Sequence, residues 1–477
     1  MAYSVAALAR IGALEEAWAA LAFQLGAETG DYVEYVGRPY LISVTRYFGG
    51  GREESDSNAN GPNIEWDDFG LFLWSLGHYQ SAGGDLERIR PHWARIRSGV
   101  LEVIESLIDD QDLLVPDSSI WERHWSGGDL NDGLRQRFAW SSIVNAAGLC
   151  EGARLADLLG EDGGRWRALA HRLRAGVESH LVGPDGVLGA SLEQVQHGRD
   201  YVDLAVVEAF NLGLLPLDGP VAQATWAAAN RVLRVSPTRG FKRNDDGVGR
   251  GGSPDQPGWY DEQEWVFIDL RAELWRSAAG FEGPDLVQFL RARAGGEDGR
   301  LILPELLGVP AGEYQGAQPM LGFGAGAWLL GLGARPETFC APNGATPDAG
   351  LTADGGGPGP GADSGAGGGG GQSMGDVGPA RVDAGGLGGM PTTGGSGPPS
   401  GGGDGVGGLP LAQDAGRGGG QDSPDAGRSG GGGGGGCAIG VVADPRRFGP
   451  AWPLAALSML AIRVSRSRRR EKFVGAR

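Results

Sequence analysis

Three stretches of the sequence set tryptophan beside carboxylates: "NIEWDDFG" from Asn63, "PDSSIWERHW" from Pro116 and "PGWYDEQEW" from Pro257. A carboxyl group gives a proton when held neutral and activates water when ionised. A neighbouring ring favours the neutral form by removing water. The same ring offers an apolar face to the C–H groups of a sugar, while carboxylates accept hydrogen bonds from its hydroxyls. Any one such loop is explained as well by helix capping, since acids favour helix N-termini. Three loops of one pattern favour carbohydrate. In the second, Glu122 stands between Trp121 and the run Arg123-His124-Trp125, and it is the candidate proton donor. Asp67 and Asp68 in the first loop and Glu262 and Glu264 in the third are the other acids of the pattern. Trp121 and Trp259 are the rings expected in a pocket, whereas Trp66 and Trp265 divide between pocket and packing. His124 reads equally as a sugar contact or a structural side chain, and His78 reads as structural. Glu305 and Glu313 read as solvated loop charges, with a sugar subsite contact as the lesser alternative.

These loops need a scaffold. Apolar residues recur at three-to-four spacing in Val5–Leu25, Phe69–Tyr79, Ile89–Ile108, Ala139–Leu159, Arg165–His180, Tyr201–Leu215, Val221–Leu233, Glu264–Ala279, Pro284–Arg293 and Gly324–Leu332, which predicts helices. Turn-forming Gly, Asp, Asn and Pro residues separate them. One β-like stretch, "YVEYVGRPYLISVTRYF", interrupts the pattern at residues 32–48. The absence of strand–helix alternation argues against a parallel-sheet enzyme, and no fixed period points to a solenoid. The expectation is an all-α toroid whose long loops gather at one end around a pocket.

The chain has 477 residues, of which 90 are glycine, and a formal net charge of -18. The glycine is concentrated between about residues 337 and 436, a segment too poor in apolar residues to offset chain entropy by burial, so disorder is expected there. Residues 1–336 are expected to form the folded domain and 437–477 a separate C-terminal unit. An acidic chain without a basic stripe is a poor partner for nucleic acid. Cys150, Cys340 and Cys437 are too far apart in sequence to suggest a metal cluster, and the histidines lack ligand spacing, so no metal and no cofactor is expected. Cys150 reads as a buried small residue, with a Cys150–Cys340 disulfide open to the chain but not required by spacing. The loop Asn244–Gly249 has the composition of a calcium loop but reads better as a turn.

The layout "SIWERHW…FAWSSIVNAAGLCEGARLA" resembles the acid loop and following helix of glycoside hydrolase family 15, the glucoamylase-like enzymes. "EWDDFGLFLWSL" and "PGWYDEQEWVFIDLRAELW" resemble two further family elements, and "EYQGAQPMLGFGAGAWLLGL" its closing region. The resemblance covers roughly residues 31–333. It implies an (α/α)6 barrel, Glu122 as general acid, Glu262 or Glu264 as general base with Glu264 slightly preferred, and Asp67, with Asp68 beside it, contacting the first sugar. It implies inverting hydrolysis of α-glucosidic bonds in an α-glucan or related oligosaccharide. Arg123 occupies the place where many members carry a second acid, and it is expected to point away or to bind a substrate hydroxyl. That departure leaves a second reading open: a barrel that binds cell-surface glycan without cleaving it.

The C-terminal order is a Gly-rich linker, Gly436-Cys437, a short spacer, an apolar run from Pro450 to Ile462, and arginines from Arg463 to Arg470. It resembles the myxobacterial C-terminal sorting signal (MYXO-CTERM). This implies export, processing at Cys437 by sorting machinery, and anchoring at the cell surface. The first residues read as an amphipathic helix and not as a signal peptide, so the expectation is a chain that starts late.

Overall fold

The computed structural model describes residues 1–55, 57–58, 61–122, 135–245, 260–294, 302–315, 323–332 and 336–340. They are mostly helical. The longer helices are α1 (Ala2–Arg10), α2 (Leu14–Gly26), α3 (Asp67–Ser81), α4 (a continuous helical run over 86–107), α5 (Ala139–Leu158), α6 (Gly164–His180), α7 (Pro220–Val232), α8 (Val266–Ala279), α9 (Leu286–Ala294) and α10 (Phe323–Gly331). Short two-residue strands form hairpins between them: β1 (Arg46–Tyr47) with β2 (Glu53–Glu54), and β3 (Ser57–Asn58) with β4 (Gly61–Pro62). A third small sheet runs β5 (Glu264–Trp265), β6 (Leu306–Leu307), β7 (Tyr314–Gln315), all antiparallel.

Burial separates two kinds of helix. Helix α5 is buried along nearly its whole circumference, with Trp140, Ile143, Ala146, Leu149 and Ala153 all enclosed. Helix α6 buries one stripe, Trp166, Leu169, Ala170, Leu173 and Val177, and exposes charges on the other side, as an outer helix must. The enclosed elements follow one another in space. Helix α1 packs on α3, α3 on α5, and α5 on the segment 204–211; that segment packs on α8, α8 on α10, and α10 returns to α1. Helices α2, α6 and α9 lie against α1, α5 and α8 respectively.

The closest approaches within this circuit use glycine. A methyl group on Gly148 of α5 would lie 2.3 Å from the Gly70 carbonyl oxygen, and one on Gly70 of α3 would lie 2.5 Å from the Asn145 Cα. Gly326 of α10 meets the backbone of Tyr3 in the same way, at 2.5 Å. Polar contacts tie the circuit across its interior. Arg271 of α8 donates to Glu208 with both Nε and Nη2, the latter at 2.7 Å, and the Tyr3 hydroxyl of α1 donates to Glu208 at 3.2 Å.

The chain after α10 returns to this interior. Glu337 accepts hydrogen bonds from Trp74 Nε1 at 3.0 Å, lies 2.9 Å from His78 Nε2, and its backbone N–H donates to the Asn211 carbonyl at 2.7 Å. Burial pushes the Glu337 carboxyl up, but His78 and the Trp74 bond hold it below its ordinary value. Cys340 is disulfide-bonded to Cys150 of α5. Cys150 is therefore buried, as its apolar surroundings suggest, and also bridged, which its spacing did not require.

Other departures from the sequence reading have local causes. The helix expected over Val5–Leu25 breaks at Gly12, whose φ of 81° suits a turn. Tyr201–Leu215 yields only a 3-10 turn (Leu204–Val207), capped by Asp203 onto the Ala205 N–H at 2.7 Å, and one helical turn (Glu208–Asn211). Of the β-like stretch, only Arg46–Tyr47 pairs as a strand, because Gly37 and Pro39 interrupt the rest. The linker, the C-terminal apolar run and Cys437 lie outside the described residues.

Replacing Gly148 by Ala should force α3 and α5 apart and lower the free energy of unfolding by about 1–3 kcal/mol or more. Gly26→Ala, where an added methyl meets nothing within 4 Å, should be neutral by comparison. Urea denaturation followed by circular dichroism checks both.

Candidate active site

The loop that carries Glu122 is built on a buried carboxylate. Asp117 Oδ2 accepts from the Trp66 N–H at 3.0 Å and from Ser141 Oγ at 2.6 Å, and Oδ1 accepts from the Ser119 N–H at 3.3 Å. Ser118 N–H donates to the Ile64 carbonyl at 2.7 Å. The loop before α5 is thereby stitched to the loop before α3. Ser119 and Glu122 have φ of 58° and 51°, a left-handed backbone that non-glycine residues adopt at a cost. The contacts that hold it are on either side: Glu122 N–H donates to the Ser119 carbonyl at 3.0 Å, and Trp121 Nε1 donates to Asp203 Oδ2 at 2.8 Å.

Trp121 is only 5% exposed. Its ring meets Trp265 edge-on at 5.1 Å, and the Arg243 guanidinium lies over both rings at 5.0 and 4.7 Å. Trp66 is buried as well and donates to the Val115 carbonyl at 3.0 Å. Glu122 itself is half-buried. Arg46 Nη1 stands 3.3 Å from its Oε1, and Arg46 is also held by Glu54, with Nη2 to Oε1 at 3.1 Å. Burial raises the Glu122 carboxyl; Arg46 and Arg243 pull it down, and Glu305 and Glu54 push it up, for a net rise. The acid is thus biased toward keeping its proton.

The first loop adds more acids. Asp67 Oδ2 accepts from Trp140 Nε1 at 2.7 Å, while its Oδ1 is enclosed and has no hydrogen-bond partner. Burial raises Asp67; burial and the Asp67 charge raise Asp68 and Glu65 well above the carboxylate range. Glu122 is among the charges acting on Glu65, so the two loops share one electrostatic environment.

The two acids expected to face Glu122 differ sharply. Glu264 is completely buried. Its Oε2 takes Arg239 Nε at 2.5 Å and its Oε1 takes the Gly240 N–H at 2.9 Å. Burial and the Glu264 charge push the nearby Asp269 carboxyl well above its usual range, and Asp269 Oδ1 accepts from the Phe241 N–H at 2.8 Å. Gly240 is obligatory here, since a methyl group would fall 1.8 Å from Asp269 Oδ1. Glu262 is half-buried and pairs with Lys242 Nζ at 2.5 Å. Neither is among the charges that act most strongly on Glu122. Glu305 is. It is half-buried at the start of β6, between the buried Leu303 and Leu306. The sequence reading favoured a solvated charge here, with a sugar contact as the lesser alternative. An acid isolated in the apolar run "LILPELL" was the available signal, because a strand buried on both sides leaves few directions for a carboxylate to face. Glu313, by contrast, is exposed and accepts from Gln315 Nε2 at 3.0 Å.

Arg123, His124, Trp125, Trp259 and most of Asn244–Gly249 lie outside the described residues. Among the described residues, no three His, Cys, Asp or Glu side chains are grouped to hold a metal ion. A surface depression of about 580 Å³ lined by Thr29, Arg38, Tyr40 and Arg95 contains none of the acids discussed here.

Burial raises Asp117 from 3.8 to about 7. Between those values the folded chain keeps a proton that the unfolded chain has lost, so stability falls as pH rises through this window and levels off above it. Asp117→Asn should remove that part of the pH dependence, roughly 4 kcal/mol at about 1.36 kcal/mol per pKa unit. Unfolding free energies of both proteins from pH 4 to 8 measure it.

No family model matches the sequence, and no curated protein matches it. Solved structures do. The chain is similar to a structure described as a glycosidase, with 20% identity and a TM-score of 0.50 over 69% of this chain and 85% of that one. It is also similar to a bacterial glucoamylase complexed with acarbose, with 14% identity and a TM-score of 0.53 over 73% of this chain; it spans 49% of that chain's length. At these identities the likeness is one of fold: a mostly helical architecture consistent with an (α/α)6 arrangement.

Proposed function

We propose that the chain is an inverting glycoside hydrolase on an (α/α)6 barrel, acting on α-glucosidic bonds of an α-glucan or related oligosaccharide. The observation that carries the reading is the state of Glu122: a half-buried carboxyl biased toward protonation, with a second carboxylate, Glu305, bearing on it. The inner circuit of α1, α3, α5, the segment 204–211, α8 and α10 supports the barrel, and the helical likeness to a glucoamylase bound to acarbose supports the substrate class.

In this mechanism Glu122 gives its proton to the glycosidic oxygen as the bond to the anomeric carbon breaks. Glu305 takes a proton from water, whose oxygen attacks the anomeric carbon from the opposite face. Inversion needs the two carboxyl groups about 6.5–9.5 Å apart, with room for that water. Glu264 is unsuited to the base role, because a carboxylate enclosed on all sides and bonded to Arg239 has no water to activate. Glu262, tied to Lys242, is second to Glu305. Asp67 is enclosed, with Oδ2 bonded to Trp140, and takes no part in this step. Arg46 and Arg243 keep the Glu122 proton transferable by opposing the effect of burial.

Export and surface anchoring through Cys437 belong to the same proposal. The Cys150–Cys340 bond supports them, since disulfides persist in oxidising compartments.

The test is turnover of maltooligosaccharides with NMR of the first-formed anomer. Glu122→Gln and Glu305→Gln should each lower kcat by about 10²–10⁴-fold, with the β-anomer released by the unaltered protein. Unchanged rates in both variants would remove the pair. Calorimetric binding of the sugar without any turnover by the unaltered protein would replace hydrolysis with glycan binding.

A further inference from the structure

We propose that Arg239 and Glu264 form a clamp that positions Glu305 by fixing the hairpin it begins; the role assigned to Glu305 above is the premise. The β6–β7 hairpin consists of two-residue strands, far too short to be held by their own ladder. Its attachment comes from the segment 239–266. Strand β5 pairs with β6, Glu264 opposite Leu307 and Trp265 opposite Leu306, and Val266 N–H donates to the Glu305 carbonyl at 3.2 Å. At the far end of β6, Arg239 Nη2 donates to the Gly308 carbonyl at 3.0 Å and Nη1 to the Pro310 carbonyl at 2.8 Å. Gln263 Oε1 accepts from the Val309 N–H at 3.1 Å.

Arg239 reaches those carbonyls because Glu264 fixes its other edge. One guanidinium therefore bridges a buried carboxylate and two backbone oxygens of the turn, using the planar fork that lysine lacks. Glu264 in turn is fixed by the Gly240 N–H, which donates to its Oε1 at 2.9 Å. The path from Glu264 through Arg239 to the Gly308 carbonyl is continuous, and it grips the far end of β6 from Glu305, beside the start of β5. Glu264 thus acts through the hairpin as a positioning residue and does not touch the reacting atoms. A displacement of about 1 Å at a reacting group costs about 10²-fold in rate, which sets the scale of the effect.

The experiment uses the full chain carrying Arg239→Ala, Arg239→Lys or Glu264→Gln, with kcat, KM, the pH profile of kcat and amide hydrogen exchange as readouts. Arg239→Ala should lower kcat about 10²-fold with KM nearly unchanged, and shift the acidic limb of the profile, which reports the base. Added guanidinium ion should restore part of that loss. Arg239→Lys keeps the charge but loses the fork, so it should show the same loss in smaller degree; it carries the test if Arg239→Ala does not fold. Amides of 306–310 should exchange faster in each variant. Folded variants with unaltered kcat and profile would overturn the clamp, as would a loss confined to KM. Failure of the underlying reading looks different: the unaltered protein turns over no sugar, or Glu305→Gln is fully active. Hydrogen exchange then decides the clamp by itself, and unchanged protection at 306–310 overturns it.

Discussion

The contact of bare backbones between Gly70 and Gly148 sets how closely α3 and α5 approach, and the site is built on that approach. It brings Asn145 and Ser141 of α5 up to the end of the loop before α3, where Asn145 Nδ2 donates to the Trp66 carbonyl at 2.9 Å. Ser141 reaches Asp117, and Asp117 joins the two acid-bearing loops. Asp67 and Glu122 are 55 positions apart in the chain by their numbers. They share one environment because two helices without intervening side chains hold their loops together.

Electrostatics follows from this crowding. Burial favours the neutral forms of Glu65, Asp67, Asp68 and Glu122, and neighbouring carboxylates add to this for Glu65, Asp68 and Glu122. The arginines do not neutralise the group evenly. Arg46 and Arg243 bear on Glu122, and Arg239 is committed to Glu264. Carboxyls of one chemical type are thereby set to different tasks by what surrounds them. Arg243 is itself fixed between Trp121 and Trp265, so the tryptophan beside the acid works through a cation and not as an open floor.

Much of this was legible where a local pattern carries the information. The helices α3, α5 and α6 follow from apolar periodicity. Other features depend on partners distant in sequence. "DEQEW" marks Glu264 and Glu262 as acids before a tryptophan, yet only the pairing of β5 with β6 and the reach of Arg239 decide that Glu264 is enclosed. Glu305 looked like a loop charge because the strand that follows it is two residues long and has no period to read. The break between α1 and α2 rests on a single glycine inside a strongly apolar stretch, and periodicity passes over it. Arg123 and Trp259 lie beyond what the structure describes.

The Cys150–Cys340 bond also has a mechanical meaning. Cys340, the last of the described residues, is covalently joined to the middle of α5, one of the most enclosed helices. A pull on that part of the chain is carried through sulfur into α5, and so into the α3–α5 contact, instead of peeling Glu337 from His78 and then α10 from α1. Reduction would change the path of the load: force would then act first on the hydrogen bonds of Glu337, which break one at a time. For a force applied at Cys340, the disulfide converts unzipping into shear.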